Sequence, residues 1–240
     1  MEYVSVWRVD VPRPLMVVLA YIAAMRVCDV ANNAVMTPEL NAPPWEPLHD
    51  IGHSLLPVLD HTDPASFFYG LPDWLFVVNL VGTVVVCSFH VQRHPPRGWR
   101  LLSDALTLHG GLLLLRATTI LATKMPTPIP GCRGRSAEAG PVPSALSTVF
   151  CNDQMFSGHT VSNVICLHLV WAVPRFPQRW KLAWTGYVAL VILASIATRD
   201  HYTVDCLVAL YLTTALFWVV RKRIQRYFTG GDTMGPRRFV

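Results

Sequence analysis

Six long apolar runs restrict what this chain can fold into more than any other feature of its sequence. A transmembrane helix needs roughly 17 to 25 apolar residues to cross the hydrocarbon core of a bilayer. All six runs reach or approach that length, and the fourth is the shortest: about 14–34, 74–92, 101–123, 158–173, 182–199 and 203–220. Only 15% of the 240 residues are charged, against about 25% in soluble domains. The sequence therefore predicts an all-α polytopic membrane protein with six transmembrane helices.

The first apolar run is predicted to be a retained helix rather than a cleaved signal. It is full length, and no short apolar core with a small-residue cleavage site is evident. Arg26 and Asp29 lie three residues apart within it and are predicted to pair with each other. The proline-rich stretches 37–47 and 126–143 fall between runs and are predicted loops. Without an internal repeat, residues 1–240 are predicted to form a single transmembrane domain.

The distribution of lysine and arginine predicts the orientation of the chain, because basic residues near helix ends are retained on the cytoplasmic side. With six spans, both termini lie on one side. That side holds fourteen of the 20 basic residues: Arg8, Arg13, Arg93, Arg97, Arg100, Arg175, Arg179, Lys181, Arg221, Lys222, Arg223, Arg226, Arg237 and Arg238. The other side holds four: Lys124, Arg133, Arg135 and Arg199. The sequence thus predicts cytosolic termini, a basic cytosolic tail at 221–240, and no nucleic-acid partner, because the basic residues are scattered.

Two histidines lie at the edges of apolar runs on the face that is poor in basic residues. His201 precedes the sixth run, and Asp205 follows it by four residues. At the start of a helix this spacing places both side chains on one face. The carboxylate can then orient the ring and leave its other nitrogen free to attack phosphorus. A local ion pair at a helix end is the alternative interpretation.

The second histidine, His159, opens the fourth run after a Ser157-Gly158 turn. Serine can cap the following helix, whose N-terminal amides then face an anion such as a phosphate. His159 can protonate a departing alkoxide and later accept the proton of an incoming alcohol; an interfacial histidine on a capped helix is the alternative. Arg116, about two turns inside the third run, is costly in lipid unless it meets an anion or snorkels to the headgroups. We predict that it grips a substrate phosphate.

Several stretches of the C-terminal half together carry a pattern more specific than either histidine alone. They are 115–119 leading into 123–128, then 151–161, 201–205 and 211–218. With them, the segment of about 114–223 resembles the sphingomyelin synthase family. That family is the ceramide phosphotransferase branch of the wider type-2 phosphatidic-acid phosphatase superfamily. The resemblance covers a little under half of the chain, and this segment is the expected catalytic core.

The resemblance implies a fold, a reaction and a location. The family has six transmembrane helices and a lumenal or exoplasmic active site, and it moves a phospho-headgroup from a glycerophospholipid to ceramide. For this chain it implies transfer of phosphocholine or phosphoethanolamine through a phospho-histidine, with release of diacylglycerol and with neither a cofactor nor a metal. An inositol headgroup is less favoured. The Golgi, the endoplasmic reticulum and the plasma membrane stay open as compartments, and a homo-oligomer is left open.

The resemblance also implies roles for individual residues. His201 resembles the family's nucleophile, Asp205 its orienting acid and His159 its general acid/base. The residues expected to support them are Asp153, Ser157 and Gly158. Asn152 stands where the family usually has glycine, and a turn-forming role is the alternative for Asp153.

Two rivals to a transferase remain. The same residues can hydrolyse lipid phosphates or phospholipids with water as the acceptor. The phosphatase branch typically separates an arginine from this histidine by five residues, whereas one residue separates Arg199 from His201, which favours the transferase branch. The second rival is a transporter or scaffold, which would tolerate replacing His159, His201 and Asp205 together.

Two weaker signals concern metals and disulfides. One loop contains six acidic residues and histidines but no compact ligand pattern, so no metal site is assigned: His49, Asp50, His53, Asp60, His61 and Asp63. Cys132 and Cys151 bracket a long non-cytoplasmic loop, where a disulfide is possible. The remaining cysteines are interpreted as small apolar residues: Cys28, Cys87, Cys166 and Cys206.

Overall fold

A computed structural model describes residues 3–6, 9–39, 47–59, 66–68, 70–91, 95–123, 125, 126, 128 and 155–229. Within these residues, the antiparallel strands β1 (Tyr3–Val6) and β2 (Val9–Pro12) form a short hairpin. Seven helices follow it in the described ranges: α1 (Arg13–Glu39), α2 (Ile51–Leu55), α3 (Leu71–Val91), α4 (Pro95–Ala122), α5 (Gly158–Ala172), α6 (Gln178–Ala197) and α7 (Thr203–Thr229). The predicted all-α class is confirmed, and the hairpin is a small addition ahead of α1.

Five of the described helices, α1, α3, α4, α6 and α7, are long and apolar enough to cross a bilayer. The fourth predicted span corresponds to α5, which has 15 residues and therefore rises only about 22 Å. Ser157 caps its first turn, and Pro174 follows its C-cap Val173, so capping and a helix-breaking residue fix its length. The protein is thus a multi-pass membrane protein in which α5 is too short to count as a span by length.

The helix α5 lies inside the bundle, in contact with α3, α4, α6 and α7. One buried apolar cluster joins α4, α5 and α7 through Leu112, Val161, Ile165, Ala209 and Phe217. Large apolar side chains also cover the outside of the long helices: Val30, Val78, Leu190 and Val219 are all exposed. A surface as apolar as the core is expected of a protein whose solvent is lipid.

Polar contacts between helices fix the positions of α3, α5 and α6. The amide Nδ2 of Asn79 donates to Oδ1 of Asn163 over 2.5 Å, and Trp184 Nε1 donates to Asn79 Oδ1 over 2.8 Å. Tyr187 Oη donates to the carbonyl of Leu75 over 2.7 Å. Such bonds hold each helix at one rotation and depth, because an unpaired polar group is costly in an apolar interior. They orient the ends of α3 and α5 that carry the candidate site.

A predicted contact within α1 is also present. The guanidinium of Arg26 lies 3.7 Å from the carboxylate of Asp29. The prediction that these two charges pair with each other is therefore confirmed. Both side chains are largely exposed, at 73% and 45%, so the pair contributes little to stability.

Candidate active site

The two histidines predicted to act together lie next to each other at one end of the bundle. His159 is in the first turn of α5, and His201 lies in the turn between α6 and α7. Their ring centroids are 6.5 Å apart. The backbone N–H of Ser157 donates to the carbonyl of Asp205 over 3.4 Å, which ties the start of α5 to the first turn of α7. The fold therefore brings together segments that are more than 40 residues apart in the sequence.

A tight turn positions His201. Arg199 has a φ of 63°, and the N–H groups of Asp200 and His201 both donate to the carbonyl of Ser195, over 3.2 and 3.4 Å. The helix α7 begins only at Thr203, so His201 precedes it. The prediction that helical spacing aligns His201 with Asp205 is wrong in this respect, because the turn brings the two side chains together.

Asp205 lies beside His201 without any exposed surface. Its Oδ2 accepts a hydrogen bond from the N–H of Tyr202 over 2.9 Å and lies 3.6 Å from Nδ1 of His201. That second distance is slightly too long for a hydrogen bond, and catalytic contacts of this kind commonly shorten when substrate binds. The carboxylate therefore faces the Nδ1 edge of the ring, and Nε2 lies on the opposite edge.

Burial sets the charge of His201. It lowers the pKa of this ring to about 3, and the neighbouring Arg116 and His159 act in the same direction. Since a lowered histidine pKa means that the neutral form persists, His201 carries no proton on one ring nitrogen at physiological pH. A neutral imidazole is the form that can act as a nucleophile. The neutral ring of His201 thus faces the side chain of Asp205.

His159 has a carboxylate partner of its own, Asp73. Its Nε2 lies 2.9 Å from Oδ1 of Asp73, in the first turn of α3, and its ring meets the edge of Phe76. The sequence analysis did not identify Asp73 as a site residue. The available signal was weak: an acidic residue at the start of a span whose end lies on the same face as His159. The site thus contains two facing histidines, each next to an aspartate.

The predicted phosphate ligand Arg116 packs against the glycine of the histidine motif. A Cβ atom added to Gly158 would overlap Nη1 of Arg116 and lie 3.1 Å from Cζ. Gly158 is therefore needed for the close approach of the guanidinium. The sequence analysis assigned Gly158 to a turn, but the backbone there does not require a glycine, because Gly70 is the only described glycine with a positive φ. The charge of Arg116 also acts on His201, so all three predicted groups share one region.

The other predicted features of the motif are partly within the described residues. Ser157 is buried, and its Oγ accepts the N–H of Thr160 over 3.2 Å, as predicted for an N-cap. Asp153 lies outside the described residues, as do Cys132 and Cys151. The four cysteines predicted to be small apolar residues are free and buried: Cys28, Cys87, Cys166 and Cys206.

The loop that is rich in acidic residues and histidines, to which no metal site was assigned, holds the site in place. Asp50 caps α2 by accepting the N–H of His53 over 2.9 Å, and it caps α7 by accepting the N–H and hydroxyl of Thr203 over 2.9 and 2.7 Å. Burial acts to raise the pKa of Asp50, but the bonds from Thr203 and His53 outweigh it and hold that pKa below its usual value. An ionised Asp50 suits two helix N-termini. Asp60, His61 and Asp63 lie outside the described residues.

Further bonds from this loop reach the backbone of the histidine turn. Nε2 of His53 lies 3.1 Å from the carbonyl of His201. The guanidinium of Arg199 donates to the carbonyls of His53 and Leu56 over 2.7 and 3.2 Å. These contacts give Arg199 a structural role and explain how a left-handed backbone at that position is maintained.

Tyr202 fastens two loops over the site through one hydroxyl group. This group accepts the N–H of Leu48 over 2.9 Å and donates to the carbonyl of Pro126 over 2.8 Å. The aromatic ring is buried against His53. Two segments distant in sequence are thereby held beside His201.

Comparison with known proteins finds similarities across the part of the chain that carries this site. Residues 150–222 match the family described as PAP2 superfamily C-terminal. A phosphatidylinositol:ceramide inositolphosphotransferase of Trypanosoma cruzi is 34% identical over 121 residues, which cover 46% of this chain and 36% of that protein. A phosphatidylethanolamine:ceramide ethanolaminephosphotransferase of Trypanosoma brucei brucei is 34% identical over 131 residues, covering 48% and 38%. The human phosphatidylcholine:ceramide cholinephosphotransferase 1 is 31% identical over 184 residues, covering 65% and 43%.

These three relatives are named for one acceptor, ceramide, and for three different headgroups. Each match spans less than two thirds of the relative's own length. Residues 150–222, which match the PAP2 superfamily C-terminal family, contain both histidines and Asp205. The similarities confirm the resemblance that the sequence motifs predicted.

Proposed function

We propose that this chain, whose residues 150–222 match the family described as PAP2 superfamily C-terminal, transfers a phospho-headgroup from a glycerophospholipid to ceramide. The observation that carries the proposal is the facing pair of histidines, 6.5 Å apart, each with an aspartate and both near Arg116. The headgroup is phosphocholine or phosphoethanolamine. The relatives support ceramide as the acceptor because it is common to all three of their names.

In the first step of the proposed reaction, Nε2 of the neutral His201 attacks the phosphorus of the bound phospholipid. A nitrogen–phosphorus bond forms, and the bond between phosphorus and the diacylglycerol oxygen breaks. His159 gives its proton to that oxygen, so that diacylglycerol leaves as a neutral alcohol. Asp205 stabilises the positive charge that develops on the His201 ring. Arg116 binds the non-bridging phosphate oxygens.

In the second step, ceramide takes the place of diacylglycerol. His159 now accepts the proton of the ceramide primary hydroxyl, whose oxygen attacks phosphorus. The oxygen–phosphorus bond forms, the bond to His201 breaks, and both histidines return to their starting states. Asp73, 2.9 Å from Nε2 of His159, fixes the orientation of that ring during both steps.

The proposed location follows from the charge distribution. The termini and the basic tail lie in the cytosol, and the site faces the lumenal or exoplasmic side. The Golgi, the endoplasmic reticulum and the plasma membrane are the compartments where such a site meets both lipids. The donor and the acceptor then reach the site from the lipid surrounding the bundle.

The test is headgroup transfer by the purified chain in detergent micelles. Headgroup-labelled phosphatidylcholine, phosphatidylethanolamine and phosphatidylinositol are supplied separately, with and without ceramide, and products are measured by mass spectrometry. We expect a labelled sphingolipid and an equal amount of diacylglycerol from at least one choline or ethanolamine donor, only when ceramide is present. A hydrolase would release diacylglycerol and the free phosphorylated headgroup at the same rate without ceramide, and that outcome would reject the transferase.

The contact between Gly158 and Arg116 predicts a moderate loss of transfer activity when either residue is changed. Gly158→Ala should displace the guanidinium and lower the transfer rate by about 10- to 100-fold, because small misplacements of a binding group are costly. Arg116→Gln should have a similar effect. Since both changes act on one contact, the double variant should be no slower than Arg116→Gln alone.

Gly111→Ala is the matched control, because Gly111 is also helical and a Cβ there meets nothing within 4 Å. It should transfer headgroups at the wild-type rate. Independent, multiplicative losses in the double variant would show that Gly158 does not act through Arg116.

A further inference from the structure

A large cavity with a mainly apolar lining lies among α1, α3, α4 and α5. Its volume is about 610 Å³, within the usual range of ligand sites. Along α3 its lining extends from Phe76 to Val91, a rise of about 22 Å in a hydrocarbon core of about 30 Å. Phe76 also touches the ring of His159. The cavity therefore extends from a ring that packs against His159 through much of the membrane's depth, as a hydrocarbon chain requires.

Three of the polar side chains that line the cavity form one hydrogen-bonded group: Tyr21, His109 and Ser162. The hydroxyl of Tyr21 lies 3.0 Å from Nδ1 of His109, and Ser162 Oγ lies 3.1 Å from Nε2 of the same ring. Ser162 Oγ also donates to the carbonyl of Gly158 over 3.0 Å. Because that bond uses the serine proton, His109 must donate from Nε2 to Ser162 and accept from Tyr21 at Nδ1.

The direction of this network decides what it offers to a ligand. The hydroxyl protons of Tyr21 and Ser162 and the ring N–H of His109 are all used within the network. The remaining capacity consists of lone pairs on the Tyr21 and Ser162 oxygens. The network therefore presents acceptors to the cavity and selects for a ligand that carries hydrogen-bond donors.

The position of these acceptors suits ceramide better than diacylglycerol, the other alcohol of the proposed reaction. Ser162 follows His159 by three residues on α5, about one turn or 4.5 Å deeper. Ceramide carries an amide N–H and a second hydroxyl close to its reacting primary hydroxyl, and both are donors. Diacylglycerol carries ester groups at the corresponding positions, and esters only accept.

We propose that Tyr21, His109 and Ser162 form the specificity-determining site that favours ceramide over diacylglycerol as the acceptor. The sphingoid N–H and second hydroxyl donate to the Tyr21 and Ser162 oxygens, and one hydrocarbon chain fills the cavity. An ester in this position leaves those acceptors unpaired, which a buried site penalises. This inference rests on the proposed transfer to ceramide and adds the residues that recognise the acceptor.

The experiment compares acceptors in the full chain. Wild type, Tyr21→Phe, Ser162→Ala and the double variant receive a headgroup-labelled donor together with ceramide, 3-O-methyl ceramide or unlabelled diacylglycerol. Transfer of the label to diacylglycerol forms a labelled phospholipid again. The rate of this transfer measures catalysis with an acceptor that lacks the sphingoid groups. Tyr211→Phe is the matched control, because Tyr211 is 66% exposed on α7.

We expect the preference for ceramide over diacylglycerol, as a ratio of kcat/KM, to fall about tenfold in the double variant, the size of one or two hydrogen bonds. The fall should come from KM for ceramide, and the variants should no longer distinguish ceramide from its 3-O-methyl derivative. Equal losses with all three acceptors would overturn the recognition role and leave the transferase intact. A wild type that exchanges label onto diacylglycerol but never onto ceramide would instead refute the proposed function.

Discussion

His201→Ala should lower headgroup transfer by on the order of 10³-fold or more, because the attacking atom is removed. His201→Gln should be as inactive, since an amide nitrogen does not attack phosphorus. Neither change should unfold the chain, because the turn is held by backbone bonds to Ser195 and by the loop at Asp50. Transfer from a labelled phospholipid to ceramide, measured beside thermal unfolding in the same detergent, separates chemistry from folding.

The covalent intermediate provides a second readout for this residue. When donor is mixed with the wild type without ceramide, label should become attached to the protein through a bond that is stable in alkali and labile in acid. Peptide mapping should locate it on His201. His90→Gln is the control, since His90 is exposed and its ring nitrogen bonds to the carbonyl of Val86 within α3. Retention of transfer in His201→Ala, or label on another residue, would refute the phospho-histidine mechanism.

Much of this architecture follows from local sequence patterns. Long apolar runs identify spans because lipid tolerates little else. The Ser157 cap and Pro174 both act within one turn of the chain, so the bounds of α5 agree closely with the predicted 158–173. The histidine motifs combine several constraints within a few residues each. The prediction that they lie on one face used only the predicted number of spans and the distribution of charge.

The contacts that complete the site could not be predicted in this way. Asp73 and His159 are 86 residues apart, and Asp50 and Thr203 are 153 apart. Which side chains meet across helices depends on the rotation of each helix about its axis. In a span that is apolar on all sides, the hydrophobic pattern does not indicate the inward face. His109 illustrates this, because nothing near it in the sequence points to Tyr21 or Ser162.

Asp205→Asn should reduce transfer by about 10²- to 10⁴-fold, the range expected when an orienting carboxylate becomes a neutral amide. The amide keeps the shape of the side chain, and its oxygen can still accept the N–H of Tyr202. It lacks the charge that stabilises the developing imidazolium on His201. The loss should therefore appear in kcat, with the KM for phospholipid nearly unchanged.

Asp205→Ala separates this electrostatic role from a structural one. Alanine leaves the buried N–H of Tyr202 without the partner it has at 2.9 Å, which should destabilise the fold by about 1–3 kcal/mol. Asp205→Asn should unfold at the wild-type temperature, although both variants transfer headgroups slowly. Asp104→Asn is the matched control, because Asp104 pairs with Arg223 rather than with a histidine. If Asp205→Asn transferred headgroups at the wild-type rate, the carboxylate would be a structural cap of the histidine turn and His201 would act without an orienting acid.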